Sequence, residues 1–182
     1  MNHKKSIKFL YDETTEGYDR RYNEIQKIKY KIIFEQISIE PGQKILDIGC
    51  GTGNLFLFLE NIDCLKYGID LSSKSLKRCQ EKLGKEKLIH VICADIDFPP
   101  FKKDFFEKIF LVTILQNVPD PARSLKEIKN LCKQNGYVIL SLLKKKFSME
   151  QIKTLLEDIQ VVPQQIIDMD DCEDIIIIVK II

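Results

Sequence analysis

A doubly wound α/β fold with a mostly parallel sheet is what this sequence predicts, on three observations. Short apolar runs of strand length alternate with amphipathic segments of helical spacing. A glycine-rich turn leaves the first apolar run and leads directly into a helix. The last two apolar runs are separated only by a loop, which predicts an antiparallel pair closing the sheet. Helices between parallel strands must cross over the sheet, so both of its faces are expected to be covered. The 182 residues hold 45% hydrophobic and 30% charged side chains, the balance of a globular chain and not of a disordered one. A chain of this length buries about 70% of its unfolded surface, and a single domain over residues 1–182 is expected.

The elements follow in order. Residues 22–38 place Ile25, Ile28, Ile32, Ile33 and Ile37 at helical spacing, and Pro41-Gly42 ends that segment. Lys44 to Ile48 is the first strand, Asn54 to Glu60 a short helix and Leu65 to Ile69 the second strand. Ser72 is placed to cap a helix whose inner face is Leu76, Cys79 and Leu83. Leu88 to Ala94 is the third strand, followed by a loop with Pro99-Pro100, and Lys108 to Thr113 is the fourth. Asp120-Pro121 is an N-cap and N1 pair opening a helix with Leu125, Ile128, Leu131 and Cys132 inside. Asn135-Gly136 stops it, and Tyr137 to Leu143 is the fifth strand. Ser148 and Gln151 form a capping box before Ile152, Leu155, Leu156 and Ile159. Strands at about Val161 to Ile167 and Asp174 to Ile181 complete the series.

Composition removes several functions. With 28 Lys+Arg against 27 Asp+Glu the net charge is +1, which provides no global attraction for nucleic acid or membrane. No stretch reaches the 18 apolar residues a membrane span needs, and the basic start is too short in apolar residues for a signal peptide. The cysteines at 50, 64, 79, 93, 132 and 172 stand singly. That suits thiols in a reducing cytosol better than a disulfide frame or a zinc site, so a cytoplasmic location and no metal are expected. His3 and His90 belong to no motif.

The most informative segment is Ile45-Leu46-Asp47-Ile48-Gly49-Cys50-Gly51-Thr52-Gly53-Asn54. Its place between strand and helix is where open α/β sheets bind ligands, and glycines there let backbone approach a ligand closely. The spacing departs from the dinucleotide fingerprint, because Asn54 stands where its third glycine belongs. Asp47 would repel a pyrophosphate and attract an ammonium, so NAD is disfavoured. A phosphate-cradling P-loop is excluded, since no Gly-Lys-Ser/Thr follows.

Asp47-Ile48-Gly49-Cys50-Gly51-Thr52-Gly53 resembles motif I of the class I S-adenosylmethionine-dependent methyltransferases, and the likeness extends over nearly the whole chain, from about residue 9 to 182. Tyr67-Gly68-Ile69-Asp70 ends the second strand with the carboxylate that in this family accepts both ribose hydroxyls. Cys93-Ala94-Asp95-Ile96 is similar to the adenine-binding motif, with Asp95 toward the exocyclic amine and the Ile96 amide toward the ring. Phe98-Pro99-Pro100-Phe101 resembles a family turn with one extra proline, and Glu107 replaces the usual Asp before the fourth strand. Thr113-Ile114-Leu115-Gln116-Asn117-Val118-Pro119-Asp120-Pro121 looks like a stretch of the ubiquinone/menaquinone-biosynthesis-like branch, with Gln116 and Asn117 in place of two histidines.

The resemblance implies a Rossmann-like sheet of order 3-2-1-4-5-7-6 with its last strand antiparallel. It also implies an N-terminal helical lid over 1–40 and a core over 41–182. S-adenosylmethionine is the implied cofactor and S-adenosylhomocysteine the product. Asp47, Gly49, Cys50, Gly51, Gly53, Asp70, Leu71, Asp95, Ile96 and Thr113 are the implied cofactor residues. Tyr11, Tyr18 and Tyr22, with Gln116 and Asn117, are candidate lid or acceptor-site residues, while packing of the N-terminal helix and ordinary loop polarity are the alternatives.

No catalytic base is named, because a sulfonium methyl is already activated and the protein mainly aligns it. An Asn-Pro-Pro-Tyr motif for planar nitrogens is absent. Little chain precedes motif I, and no insertion separates the last strands, so the acceptor is expected to be a small molecule or a partner completes the site. Lys144-Lys145-Lys146 is either a solvated charge run or an attraction for an anionic acceptor, RNA included. The third strand, 88–93, would be an apolar sheet edge open to a partner chain, the edge by which some relatives bind a small zinc-binding activator. Three readings stand: a small-molecule methyltransferase, an RNA or protein methyltransferase working with a partner, and a non-catalytic cofactor-binding subunit.

Overall fold

A computed structural model describes residues 24–84 and 88–182. Helix α1 covers 24–36 of these. Then follow β1 (Lys44–Ile48), α2 (Asn54–Phe58), β2 (Leu65–Asp70), α3 (Ser73–Leu83), β3 (Ile89–Cys93), β4 (Phe106–Val112), α4 (Pro121–Lys129), β5 (Cys132–Leu143), α5 (Met149–Asp158), β6 (Pro163–Ile167) and β7 (Asp174–Lys180). A short 3₁₀ turn, Leu115–Asn117, follows β4.

The strands form one sheet of order β3-β2-β1-β4-β5-β7-β6. β3, β2, β1, β4 and β5 run parallel, and β7 runs antiparallel to β5 and β6. This is the expected topology. Its central strands alternate between two buried faces. Leu46, Ile109, Leu140 and Ile177 pack with Leu125 and Ile128 of α4 and Ile152 of α5. Ile45, Phe110, Ile139 and Ile178 pack with Ile33 of α1 and Leu55 of α2 on the other face. Caps fall where the sequence places them. Ser75 N–H donates to Ser72 Oγ (3.0 Å), Arg123 N–H to Asp120 Oδ1 (3.1 Å), and Ser148 and Gln151 close a reciprocal box.

Two expectations are corrected. Helix α4 ends at Lys129, so Leu131 and Cys132 lie beyond it, and β5 begins at Cys132 instead of Tyr137. Asn135-Gly136 does not end a helix. Asn135 takes a positive φ of 64° inside β5, its N–H donates to Ile181 O (2.7 Å), and Gly136 O accepts from Ile181 N–H (2.9 Å). The pair is a local kink in a continuous strand, stitched to the chain beyond β7.

The second correction concerns α1. Ile32, Ile33 and Ile37 are buried, but Ile28 is 41% exposed. The buried face instead carries Gln26, Lys29 and Tyr30. Tyr11, Tyr18 and Tyr22 lie outside the described residues. Among the described residues no helix is long and apolar enough to cross a membrane, and no group of three or more His, Cys, Asp or Glu is placed to hold a metal ion.

Candidate active site

The C-terminal ends of β1, β2 and β4 open into one cleft, and the glycine turn forms its floor. After Ile48 the backbone turns sharply: Gly49 and Cys50 N–H both donate to Ile69 O, at 2.8 and 3.0 Å, which ties the turn to β2. Gly49 has φ 75°, and a Cβ there would stand 2.8 Å from Ile114 Cδ1. Any other residue at 49 would therefore be strained and would push against the loop that follows β4. Gly53 N–H closes the turn onto Cys50 O (2.9 Å).

Asp70, at the end of β2, organises the next layer. Its Oδ2 accepts from Gly51 N–H (2.9 Å) and its Oδ1 from Ser72 N–H (2.8 Å). One carboxylate thus binds the glycine turn to the N-cap of α3. Asp47 is only 5% exposed, and burial first, then the nearby charge of Asp70, push its carboxyl well above the usual range. Cys50 is pushed up by burial and, secondarily, by the same two carboxylates. No lysine, arginine or histidine stands among the described residues that line the cleft. The cleft is consequently a place where negative charge is concentrated and poorly solvated.

Asp47, Gly49, Cys50, Gly51, Asp70, Leu71, Ile96, Thr113 and Asn117 all line this cleft. Gly53, Asp95 and Gln116 do not. Gly53 sits beneath the turn as the N-cap of α2. Asp95 Oδ1 accepts from Asp97 N–H (3.0 Å) and its carbonyl from Phe98 N–H (3.0 Å), a turn in which the residue supports its own loop. Gln116 Nε2 donates to Thr113 O (2.6 Å). Ala94 and Ile96 make an apolar wall at the β3 side, and Val112, Ile114 and Val118 make another beyond β4.

Helix α1 adds what sequence reasoning missed. Gln26 and Tyr30, one turn apart, both line the cleft, and the Tyr30 ring lies 5.5 Å from that of Phe58. Between them Lys29 is buried, with its Nζ 2.9 Å from Asp174 Oδ1 and 2.8 Å from Thr113 Oγ1. The Thr113 hydroxyl donates in turn to Asp174 Oδ2 (2.8 Å), and so does that of Ser141. Thr113 therefore meets the cleft while its hydroxyl is committed to this cluster. The available signal was Gln26, Lys29, Tyr30, Ile33 and Ile37, which also form a helical stripe. It was obscured because polar residues compete poorly with isoleucine in any hydrophobic periodicity.

A methyltransferase-domain family model matches residues 46–140, just over half of the chain. An uncharacterized protein of Methanocaldococcus jannaschii is 33% identical over 142 residues, 76% of this chain and 52% of that protein. The ubiquinone biosynthesis O-methyltransferase of Coxiella burnetii is 29% identical over 124 residues, 68% of this chain and 53% of that protein. The chain thus spans about half the length of these curated relatives. Among solved structures, magnesium protoporphyrin IX methyltransferase of Synechocystis with bound S-adenosylmethionine superposes with TM-score 0.79 at 17% identity, covering 100% of this chain and 98% of that one. A complex between the Haloferax volcanii Trm112 methyltransferase activator and a methyltransferase superposes with TM-score 0.75 at 15% identity, covering 94% and 96%. At these identities the likeness to solved structures is one of fold.

Proposed function

The chain belongs to the methyltransferase-domain family, and from that premise we propose that it binds S-adenosylmethionine in this cleft and methylates a small-molecule acceptor, leaving S-adenosylhomocysteine. The observation that carries the reading is the charge of the lining. Two carboxylates, Asp47 and Asp70, face a cleft with no described Lys, Arg or His. A pyrophosphate would be repelled there, whereas a ligand carrying a sulfonium, an ammonium and a ribose diol is complementary.

The residues divide the ligand between them. Asp70 accepts from Gly51 and Ser72 N–H, and a carboxylate held this way at the end of β2 is the acceptor suited to the ribose diol. Ala94 and Ile96 offer an apolar wall to the adenine. Asp47 draws the ammonium, whose charge relieves the repulsion from Asp70. When bound, the cofactor supplies a methyl group on a sulfonium, already activated for displacement. The chain aligns that methyl with the acceptor and excludes water by means of Tyr30, Ile114 and Val118. The ubiquinone biosynthesis enzyme among the relatives supports a small acceptor.

Calorimetric titration with S-adenosylmethionine tests the cofactor, with NAD as control. Asp70→Asn is the preferred variant, because its single oxygen can still accept from Gly51 or Ser72 N–H, whereas Asp70→Ala loses both bonds. We expect binding that weakens about 10- to 100-fold in Asp70→Asn, the loss of charge-assisted hydrogen bonds, and none with NAD. Tritiated methyl transfer into small metabolites, tRNA, rRNA and protein then identifies the acceptor class. Label confined to small metabolites is expected; cofactor binding without transfer to any fraction, with or without cell extract, would favour a non-catalytic subunit.

A second reading rests on β3. This edge strand exposes Ile92 to 39%, and its outer side pairs with no other strand among the described residues; the Haloferax complex supports an activator partner that completes an RNA or protein methyltransferase. The lysine run adds little, since Lys144 is held 2.6 Å from Asp168 and only Lys145 and Lys146 of the three are exposed. A light-scattering monomer with full activity by itself would refute this reading.

A further inference from the structure

Helix α1 buries a polar atom that no described residue satisfies. Gln26 is 8% exposed and lines the cleft, yet its Oε1 is buried with no hydrogen-bond partner among the described residues. Leaving such an oxygen unpaired is costly, and native structures rarely do so without reason. A bound donor is the direct remedy. We propose, resting on the cofactor assignment above, that Gln26 Oε1 accepts a hydrogen bond from the α-ammonium of the cofactor's amino-acid end, opposite Asp47.

The layout of the cleft selects that donor. Asp70 marks the ribose position at the end of β2, and Ala94 and Ile96 follow β3, so the adenosine occupies the β2–β3 side. Gln26 approaches from the other side. Lys29, on the next turn of α1, is bonded to Thr113 immediately after β4, which places this stretch of helix against the β4 end. At that end of S-adenosylmethionine or S-adenosylhomocysteine the only N–H or O–H donor is the ammonium. Its three N–H groups exceed what one Asp47 carboxylate can accept in line, and a neutral amide oxygen completes the set without adding a third charge beside Asp47 and Asp70. The face of α1 is also held rigidly. Lys29 is locked between Asp174 and Thr113, and Tyr30 packs against Phe58, so Gln26 is presented at a set position and is not a side chain that must search for its partner.

The test is a comparison of two ligands on three proteins, read by calorimetry. S-adenosylhomocysteine and its desamino analogue, identical but for the ammonium, are titrated into wild type, Gln26→Leu and Gln26→Glu, each first checked for native melting. We expect Gln26→Leu to weaken S-adenosylhomocysteine about 10- to 100-fold and to leave the desamino analogue within about twofold. Gln26→Glu, which keeps an accepting oxygen but adds a third carboxylate beside Asp47 and Asp70, is expected to weaken S-adenosylhomocysteine less than Gln26→Leu does, and a loss as large as that of Gln26→Leu would count against the inference. Equal weakening of both ligands by Gln26→Leu would overturn the inference, since it would show a general disturbance of α1; so would no weakening of either. Failure of wild type to bind S-adenosylhomocysteine at millimolar concentration would instead remove the cofactor reading itself, and this inference with it.

Discussion

Replacing Lys29 by methionine is the perturbation with the largest effect calculable from this structure. The lysine side chain is 3% exposed and Asp174 is fully buried, with 2.9 Å between Nζ and Oδ1. At an effective dielectric near 20, two unit charges at that distance attract by about 6 kcal/mol, most of which is offset by the desolvation of both ions. The intact pair therefore contributes little net stability. Its half is another matter. Lys29→Met leaves the buried Asp174 carboxylate without its cation and, among the described residues, supported by the Thr113 and Ser141 hydroxyls, a state that costs about 3–5 kcal/mol. Against a total of about 5–15 kcal/mol for a domain the loss would be plain in a urea titration at neutral pH.

Asp174→Asn alone leaves the ammonium buried and costs a comparable amount. The double variant, Lys29→Met with Asp174→Asn, removes both charges and keeps an oxygen for the two hydroxyls. Its cost is expected to fall below the sum of the singles by at least about 2 kcal/mol. Because Lys29 positions Gln26 and Tyr30, hydrogen exchange over residues 24–36 should rise in Lys29→Met while that of β4 and β5 stays near its wild-type value. A single-variant cost under about 1 kcal/mol, or strict additivity, would refute the assignment of this cluster as the anchor of α1.

Three further outcomes are expected. Gly49→Ala places a Cβ 2.8 Å from Ile114 Cδ1 at a φ of 75°, so it should cost about 1–3 kcal/mol and weaken cofactor binding; a melting curve and a titration measure both, and unchanged values would refute the close approach. Asp47→Asn should raise the melting temperature of the ligand-free protein and weaken S-adenosylhomocysteine, because it removes a buried charge that a cationic ligand needs. The sign with pH follows: a carboxyl raised by burial and by Asp70 makes the folded state hold the proton longer than the unfolded state. Stability from this group then falls as pH rises from the unfolded value, about 3.9, through the raised folded one, while affinity for the cationic ligand rises over the same window; melting and titration between pH 4 and 8 check it, and Asp47→Asn should flatten both trends. Finally, Cys93 is the exposed cysteine, whereas burial pushes the thiols of Cys79 and Cys132 up to about 12. Brief alkylation of the native protein should label Cys93 first by peptide mapping, and early labelling of Cys79 would contradict the packing beneath Gly53.

Much of the site was legible because its signals are local. Glycines at 49, 51 and 53 stand between a strand and a helix, with Asp47 inside the strand and Asp70 ending the next one, and all three take a positive φ, a local backbone requirement visible in the sequence, although the crowding of Gly49 by Ile114 is not. Asp70 and Ile96 both line the cleft. Asp95 is not among the lining residues, and its Oδ1 accepts from Asp97 N–H, a local loop contact that the motif does not announce. Asn135-Gly136 shows another limit. The pair reads as a terminator, yet Asn tolerates positive φ, and pairing with Ile181 just beyond β7 makes a kink within β5 cheaper than a break.

The alternation of strands and helices, the caps at Ser72, Asp120 and Ser148, and the acidic, glycine-rich turn are legible in the amino-acid order, since each rests chiefly on residues a few positions apart. The inward face of α1 follows instead from contacts between residues far apart in the chain. Periodicity favoured Ile25 and Ile28, but the fold brings Asp174 of β7 and Thr113 after β4 beneath the helix, and a buried carboxylate must be matched by a cation. Lys29 meets that need, and in doing so it turns Ile28 toward solvent and carries Gln26 and Tyr30 into the cleft.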